Sequence, residues 1–510
     1  MKKIISILIS VLFSSAVLNA QSLDDAIRFS QTYITGTARS AAMGNAFGAL
    51  GGDFASLSIN PAGIAIYRSS EVSITPSFVF NNTTSSYAGT VREDNENCFP
   101  FNQAGVVFTY KQLNDDAKGI ISTHFAFGYN RVSNFNQNTT IEGYAMESSK
   151  LSQFVLDAEG NYPDQLDEFG SALAFNTWLL DTLPGIGNSY FNAFEGIAPN
   201  GDIIWRATNG LDQRRLTIKD GYAGEYNFSF GINISNTIML GATMGIENLR
   251  YEENSTYSEF NTYGLTPAFN TDLDYYDYNT YLDQRGTGVN FKFGIIAKPF
   301  QALRLGAAIS TPTYYNIWDR WTSSMVAYYK DDAIFKELSP YGEYNYKYRT
   351  PMKATASAAF VMGKYMILSV DYEFDNYKST QFKPVSYSDD YLRQLNAEID
   401  QKFKNTSNIR AGLEFKPMPA IGIRGGFSYQ DSPYKEEYEN EKSTFLTYSG
   451  GVGFRTARFF VDLAYLQINR QYDFYNYNWD PGWDDAMGTP EPARIKSVDN
   501  QIILSLGFRF

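Results

Sequence analysis

One histidine, His124, and one cysteine, Cys98, are all that 510 residues supply of the two most versatile reactive side chains. A Ser-His-Asp arrangement stands out nowhere, and a Cys-rich metal site or an internal disulfide framework needs more than one cysteine. A lone imidazole keeps one use, axial ligation of haem, so a haem-binding receptor stands as an alternative reading. Asp272, Asp274 and Asp277 offer oxygen ligands of the kind that hold Ca²⁺, but they lack the glycine and the terminal glutamate of an EF-hand loop. An acidic solvated loop explains them as well. No paired carboxylates, phosphate-binding loop or nucleophile elbow stands out. The expectation is a protein with no catalytic residues, no metal and no cofactor.

Two apolar features remain. Asn60-Pro61-Ala62-Gly63 combines a good N-cap, a proline suited to the first helical position and a glycine that readily ends a turn. It predicts one rigid tight turn. Phe169, Leu173, Phe175, Trp178, Leu179 and Leu180 lie in a helix-like stretch, 166–180, with more apolar surface than a solvated loop needs. They form a candidate ligand groove.

The elements that position these residues read as strands. Tyr and Phe number 38 each, aromatics make up 16% of the chain and charged residues only 19%. That balance suits pleated surfaces and aromatic membrane-interface girdles. Lys2 and Lys3, the apolar run from Ile4 to Val17 and Leu18-Asn19-Ala20 read as a secretory signal with cleavage before Gln21. The mature chain would carry 40 basic against 55 acidic residues, a net of −15, which argues against nucleic acid as a partner. Beyond the signal there is no apolar run of about 20 residues, hence no transmembrane helix.

Alternation with period two is clearest in "NQIILSLGFRF", where Ile502, Leu504, Leu506, Phe508 and Phe510 share one face. Fourteen segments alternate in this manner, near 71–80, 103–110, 119–130, 221–234, 237–251, 287–298, 303–316, 345–362, 365–375, 402–416, 420–430, 443–455, 459–469 and 499–510. The connections between them alternate short and long, the mark of an up-and-down transmembrane barrel. The pattern places His124 and Asp462 on lumen-facing sides.

Residues 21–70 precede the first strand. Ser22 and Asp25 have capping-box spacing and open a short helix. The segment "GTARSAAMGNAFGALGGDFASLSINPAGIA" that follows resembles the N-terminal signature of the FadL-type outer-membrane transporters of long-chain fatty acids and other hydrophobic compounds. Gly36-Thr37-Ala38-Arg39, Met43-Gly44-Asn45-Ala46, Asp53 and Asn60-Pro61-Ala62 carry the resemblance. It implies an all-β, fourteen-stranded antiparallel barrel in the Gram-negative outer membrane, with a hatch inside the lumen and long extracellular loops. Asn60, Pro61 and Ala62 would then belong to the plug and its gating turn. The resemblance also implies capture of substrate between outer loops and sideways exit at a kink in the third strand. Gly128 is the one soft point legible there.

The expected organisation is a signal peptide over 1–20, a hatch over 21–70 and a barrel over 71–510. The expected partners are a fatty-acid-like small molecule, outer-membrane lipid and the barrel assembly machinery, which the terminal Phe510 would address. The expected function is passive uptake of hydrophobic compounds through an apolar pocket. A surface adhesive barrel with Tyr- and Asp-rich loops is the third reading.

Overall fold

The structure, a computed structural model, describes residues 22–31, 36–112, 118–267, 272–385, 389–436, 438, 440–477 and 491–510. The expected leader, 1–20, lies outside them. Fourteen antiparallel wall strands close into a barrel. In chain order they are β1 (Glu71–Tyr87), β2 (Thr90–Cys98 and Phe101–Lys111), β3 (Ile120–Asn134 and Gln137–Met146), β4 (Leu211–Ile234) and β5 (Ile238–Phe260). Next come β6 (Leu273–Ala297), β7 (Leu303–Ser310 and Tyr314–Tyr329), β8 (Ile334–Leu338, Gly342–Arg349 and Lys353–Met362) and β9 (Met366–Asp375 and Gln381–Pro384). The ring ends with β10 (Thr406–Met418), β11 (Ile421–Gln430), β12 (Phe445–Arg455), β13 (Phe459–Phe474) and β14 (Ala493–Arg509). β14 pairs with β1, from Glu71 opposite Arg509 to Ser86 opposite Arg494, and this seam closes the ring.

The period-two pattern produces an inside-out distribution. On β13, Phe459, Val461, Leu463 and Tyr465 point outward, each 37–48% exposed, while Asp462 is fully buried in the lumen. On β14, Ile502, Leu506, Phe508 and Phe510 are likewise exposed. Such a continuous apolar exterior belongs in a bilayer. Tyr226, Tyr314, Tyr372, Tyr448 and Tyr465 are exposed at its outer rim, and Tyr110, Phe300 and Tyr365 at the rim of the short turns. No helix among the described residues is long and apolar enough to cross a membrane. The protein is a multi-pass β-barrel of the outer-membrane type.

Several connections expected as long loops are strand instead. Residues 81–102 form the top of β1, a tight turn at Ala88-Gly89, both with positive φ, and the upper part of β2. β4, β5 and β6 run 23 to 25 residues, about twice what a bilayer needs. The wall therefore rises well above the membrane. The sequence signal was lost there because both faces become polar once the outer face leaves lipid.

Candidate functional site

Residues 36–67 fill the lumen and touch the wall on every side. Ala38, Ala41 and Ala42 pack on β13 and β14 through Ala464, Leu466 and Ile503. Phe47 and Leu50 pack on β8 through Ala359. Phe54, Leu57 and Ile64 pack on Val107 of β2 and Ala126 of β3. Ala62 and Ala65 pack on Met239 of β5 and Ile296 of β6. Small residues allow this because the backbone itself must approach the wall.

Asn60 is the pin of the segment. Its Oδ1 accepts from the Ala62 N–H at 3.1 Å, and its Nδ2 donates to the Gly48 carbonyl at 2.6 Å and the Ile295 carbonyl of β6 at 3.2 Å. Pro61 opens a 3₁₀ helix that runs to Ile66. The N-cap and first-turn roles are as the sequence predicts, but Gly63 does not end the turn. Gly63 packs instead against Gly51 and Ser56, where no Cβ fits. The wall is carved to match: a Cβ on Gly294 would overlap Asn60 Oδ1, and one on Gly241 would overlap Pro61. Gly294→Val is expected to keep the barrel, seen as a heat-modifiable band on SDS gels, but to unseat the turn. Influx of a polar antibiotic would rise; unchanged influx would show that the turn does not seal the lumen.

A buried ion network also ties this segment to the wall. Arg39 donates to Glu414 of β10 at 3.0 and 3.4 Å. Glu414 also accepts from Arg424 of β11 at 2.7 Å, and Arg424 reaches Asp462 at 2.5 Å. Arg455 of β12 completes the chain on Asp462 at 2.9 Å.

Above the turn stands α1 (Leu23–Ser30), opened by the predicted capping box: Ser22 Oγ accepts from Asp25 N–H, and Asp25 Oδ2 accepts from Ser22 N–H at 2.8 Å. Between α1 and the turn lies a charged layer with Glu225, Glu247, Lys292, Lys353 and Glu373 around one cavity. An apolar solute crossing it would have to displace hydrogen-bonded charges. The axial route is closed twice.

A second route runs beside α1. Three cavities lie in series. The outer one sits between α1, the helix α2 (Asp390–Lys402) and Tyr434, Tyr438 and Asn440, with Leu23, Tyr391, Leu395 and Tyr475 among its walls. It shares Asp24, Tyr434, Asn440, Asp473 and Phe474 with a lumenal cavity of about 150 Å³. That cavity shares Asn134, Ile468 and Asp499 with a third, which lies at the barrel wall. The lumenal lining is mixed: Ile27, Phe135 and Phe445 alternate with Arg28, Lys219 and Arg470. It is not the uniformly apolar pocket expected.

At the wall the ladder between β2 and β3 stops. Backbone pairing runs from Lys111 opposite Ser122 to Gln103 opposite Asn130 and no further. Higher up no backbone-to-backbone ladder joins the strands; the bridges run through side chains, as Asn138 Nδ2 to Glu96 at 2.7 Å and Thr140 N–H to the Asp94 carboxylate at 2.7 Å. Two local irregularities open this window. Pro100 interrupts β2, and the register of β3 on β4 slips at Val132, a bulge that bends the strand. The buried Asn102 amide nitrogen and Arg131 Nε have no hydrogen-bond partner, unusual for native groups. Outside, Phe78, Phe80, Phe99 and Phe101 form an exposed aromatic cluster with ring centroids 5.4–5.9 Å apart. The bend at Val132 is four residues from Gly128, which stays in regular ladder opposite Gly105, and both glycines make room for Phe54.

The residues expected to form a ligand groove sit elsewhere. Leu173, Leu179 and Leu180 are 2, 0 and 1% exposed and pack with Phe154, Tyr276 and Tyr278 in a core that caps the tall wall. Phe175 packs on the edge of that core. Phe169 meets Trp321 at 5.7 Å, and Trp178, 60% exposed, meets Phe335. The expected long helix is only Ser171–Asn176. His124 is fully buried, with Nδ1 at 3.2 Å from Thr109 and Nε2 at 2.8 Å from Ser122, so both ring nitrogens are engaged. Asp272 pairs with Arg206 at 2.7 Å and Asp277 accepts from Ser258. No cluster of three metal-ligating side chains occurs among the described residues.

The cap also holds Glu195, 3% exposed, whose carboxyl burial pushes up to about 7. A raised carboxyl favours the folded cap below the ordinary value near 4.5, and that contribution is lost as pH rises towards 7. Glu195→Gln is therefore expected to protect the cap from proteolysis at pH 8 and to change nothing at pH 4. Equal cleavage at pH 8 would refute it.

No protein-family model and no curated protein sequence matches the chain. Solved structures do. A Pseudomonas aeruginosa FadL homologue aligns over 94% of this chain and 99% of its own, with a TM-score of 0.52 at 12% identity. The Pseudomonas putida toluene transporter TodX aligns over 94% and 99%, at 0.51 and 13%. The Ralstonia pickettii toluene transporter TbuX aligns over 93% and 98%, at 0.50 and 12%. The closed fourteen-strand wall, the filled lumen and these alignments over nearly the whole chain establish that the protein has the FadL-type outer-membrane barrel fold.

Proposed function

We propose that this barrel takes up hydrophobic compounds passively, long-chain fatty acids or similarly apolar molecules, and releases them sideways through the window between β2 and β3. The observation that carries the reading is the series of three cavities from the outer mouth to an unpaired stretch of wall, beside an axis blocked by residues 36–67. Each CH₂ withdrawn from water on entry is favourable by about 0.8 kcal/mol, which supplies capture without any energy source. In this reading residues 22–70 are the hatch, and Asn60, Pro61 and Ala62 hold it shut rather than swing open. The core around Leu173, Leu179 and Leu180 lids the mouth, and Phe169, Phe175 and Trp178 give the lid its apolar edge. Phe510 continues the outward apolar row of β14, the form in which the assembly machinery would meet it.

Cells producing the barrel should accumulate labelled oleate or toluene saturably, with no gain in permeability to a polar antibiotic. Accumulation of neither compound would end the proposal.

A further inference from the structure

The outward face of the wall changes character abruptly where β5 to β8 leave the apolar band. On β5 the outward series Ile238, Met244 and Ile246 gives way to Asn248 and Arg250. On β6, Ile295, Phe293, Phe291 and Val289 give way to Thr287 and Arg285. On β7 the exposed Tyr314 is followed by Asn316, Trp318 and Arg320, and on β8 Lys347 stands exposed opposite Asn316. Four cations thus gather on one arc, just beyond the outer aromatic rim.

Their register is costly without a further partner. Arg250 lies directly opposite Arg285, and Arg285 opposite Trp318. Like charges directly opposite each other on neighbouring strands repel. Glu252 takes Arg250 at 2.5 Å. The fully buried Asp283 is shared by Arg285 at 3.0 Å and Arg320 at 3.5 Å. Glu343, opposite Arg320, and Asp220, opposite Glu252 on the same outward face, are the other carboxylates nearby. The four cations are thus matched by four carboxylates, while Arg250 and Arg285 still stand directly opposite each other. Each guanidinium carries five donors, so the acidic partners orient these side chains and leave donors directed outward. The Arg250, Arg285 and Arg320 side chains remain 52, 52 and 37% exposed. The guanidinium of Arg320 also lies 5.3 Å from the Trp318 ring.

The collar is not general. At the corresponding outward positions on the opposite arc, β13, β14 and β1 carry Gln467, Asn469, Asn500 and Asn82. The cations of that arc, Arg494 and Lys496 on β14, stand further from the apolar band, and Arg494 pairs with Asp473.

We propose that the Arg250–Arg285–Arg320–Lys347 face binds the phosphates of an outer-leaflet glycolipid, the phosphorylated lipid anchor of lipopolysaccharide. Position selects that source. The cations sit at the height where acyl chains end, so a ligand can place its tails on Phe291 and Phe293 while its phosphates meet paired guanidinium forks. Planar forks match phosphate oxygens two at a time, and a phosphate between Arg250 and Arg285 removes the repulsion between them.

The test uses the purified full barrel in mild detergent, titrated with bis-phosphorylated lipid A, its dephosphorylated form or inorganic phosphate and read by native mass spectrometry. Retention of the phosphorylated glycolipid alone is expected. Arg250→Ser with Arg285→Ser should weaken it at least tenfold, and the matching lysine pair should fall between. Arg494→Ser with Lys496→Ser, on the opposite arc, should change nothing. Heat-modifiable migration checks that each variant folds. Equal binding by both serine pairs, or equal binding of the dephosphorylated lipid, would overturn the proposal. Complete displacement by millimolar inorganic phosphate would also overturn it, making the face a free-anion site.

Discussion

Asn134→Cys, combined with the native Cys98, is expected to abolish uptake under oxidising conditions and to restore it fully on reduction. Cys98 Sγ lies 3.7 Å from Asn134 Nδ2, across the stretch where β2 and β3 share no backbone ladder. A thiol at 134 would put two sulfurs on the two edges of the window, within the reach of a disulfide after small side-chain adjustment. Cys98 is the only cysteine in the chain, so no competing bridge can form within a monomer. The bond would fix both edges and occupy the place through which an acyl chain or aromatic ring must pass. The outer and lumenal cavities would remain, so ligand binding to purified protein should survive while transport stops. That separation distinguishes a blocked exit from an unfolded barrel. Uptake unaffected by the oxidised bridge would eliminate the lateral route.

Glu414→Ala is expected to turn the closed barrel into a leaky one. Glu414 is fully buried and receives Arg39 from the lumenal segment 36–67, Arg424 from β11 and Lys416 from its own strand. Removing one partner of a buried pair costs roughly 3–5 kcal/mol, because the remaining charges stay buried without compensation. Here Arg39, the only charged side chain of the Gly36–Ala46 stretch, would be stranded, while Arg424 keeps Asp462. Single-channel recordings in planar bilayers should show conductance steps that the unaltered protein lacks. Arg39→Ala should do less, since Glu414 keeps Arg424 and Lys416. Closed recordings from Glu414→Ala would mean that packing alone retains the hatch.

Much of this was legible in the sequence for a definite reason. Lipid imposes one polarity rule on every outward residue, so the period-two pattern of β13 and β14 could be read directly, as could the inward placement of Asp462 and His124. The capping box at Ser22 and the Asn60-Pro61 entry were legible because their chemistry is local. The window was not. Val132 is an ordinary β-branched residue, and its bulge is defined only by the register of β4 beside it. Pro100 lay in a stretch expected to be loop, since β2 above the membrane loses its alternation. The role of the candidate groove residues was not legible for a related reason. A cluster of Leu and Phe in a loop signals burial, and burial serves a packed lid as well as a ligand groove. The outer cavity is lined by Tyr391 from one connection and Tyr434 and Tyr438 from another, which no local pattern joins.

The seam between β1 and β14 has a consequence for biogenesis. Arg509 Nε reaches Glu71 at 2.9 Å across 438 residues of sequence, and Phe510 N–H reaches the Ser70 carbonyl at 3.0 Å. The strand that follows residues 36–67 is thus the one that meets the last-made strand. A ring with that order of closure cannot be filled afterwards through its wall. The segment bearing Arg39 and Asn60 packs on strands from both sides of that seam, so its contacts are complete only once the ring is closed. Its alanines and glycines then serve as a mould as well as a stopper, setting the circumference at which the two free edges find each other.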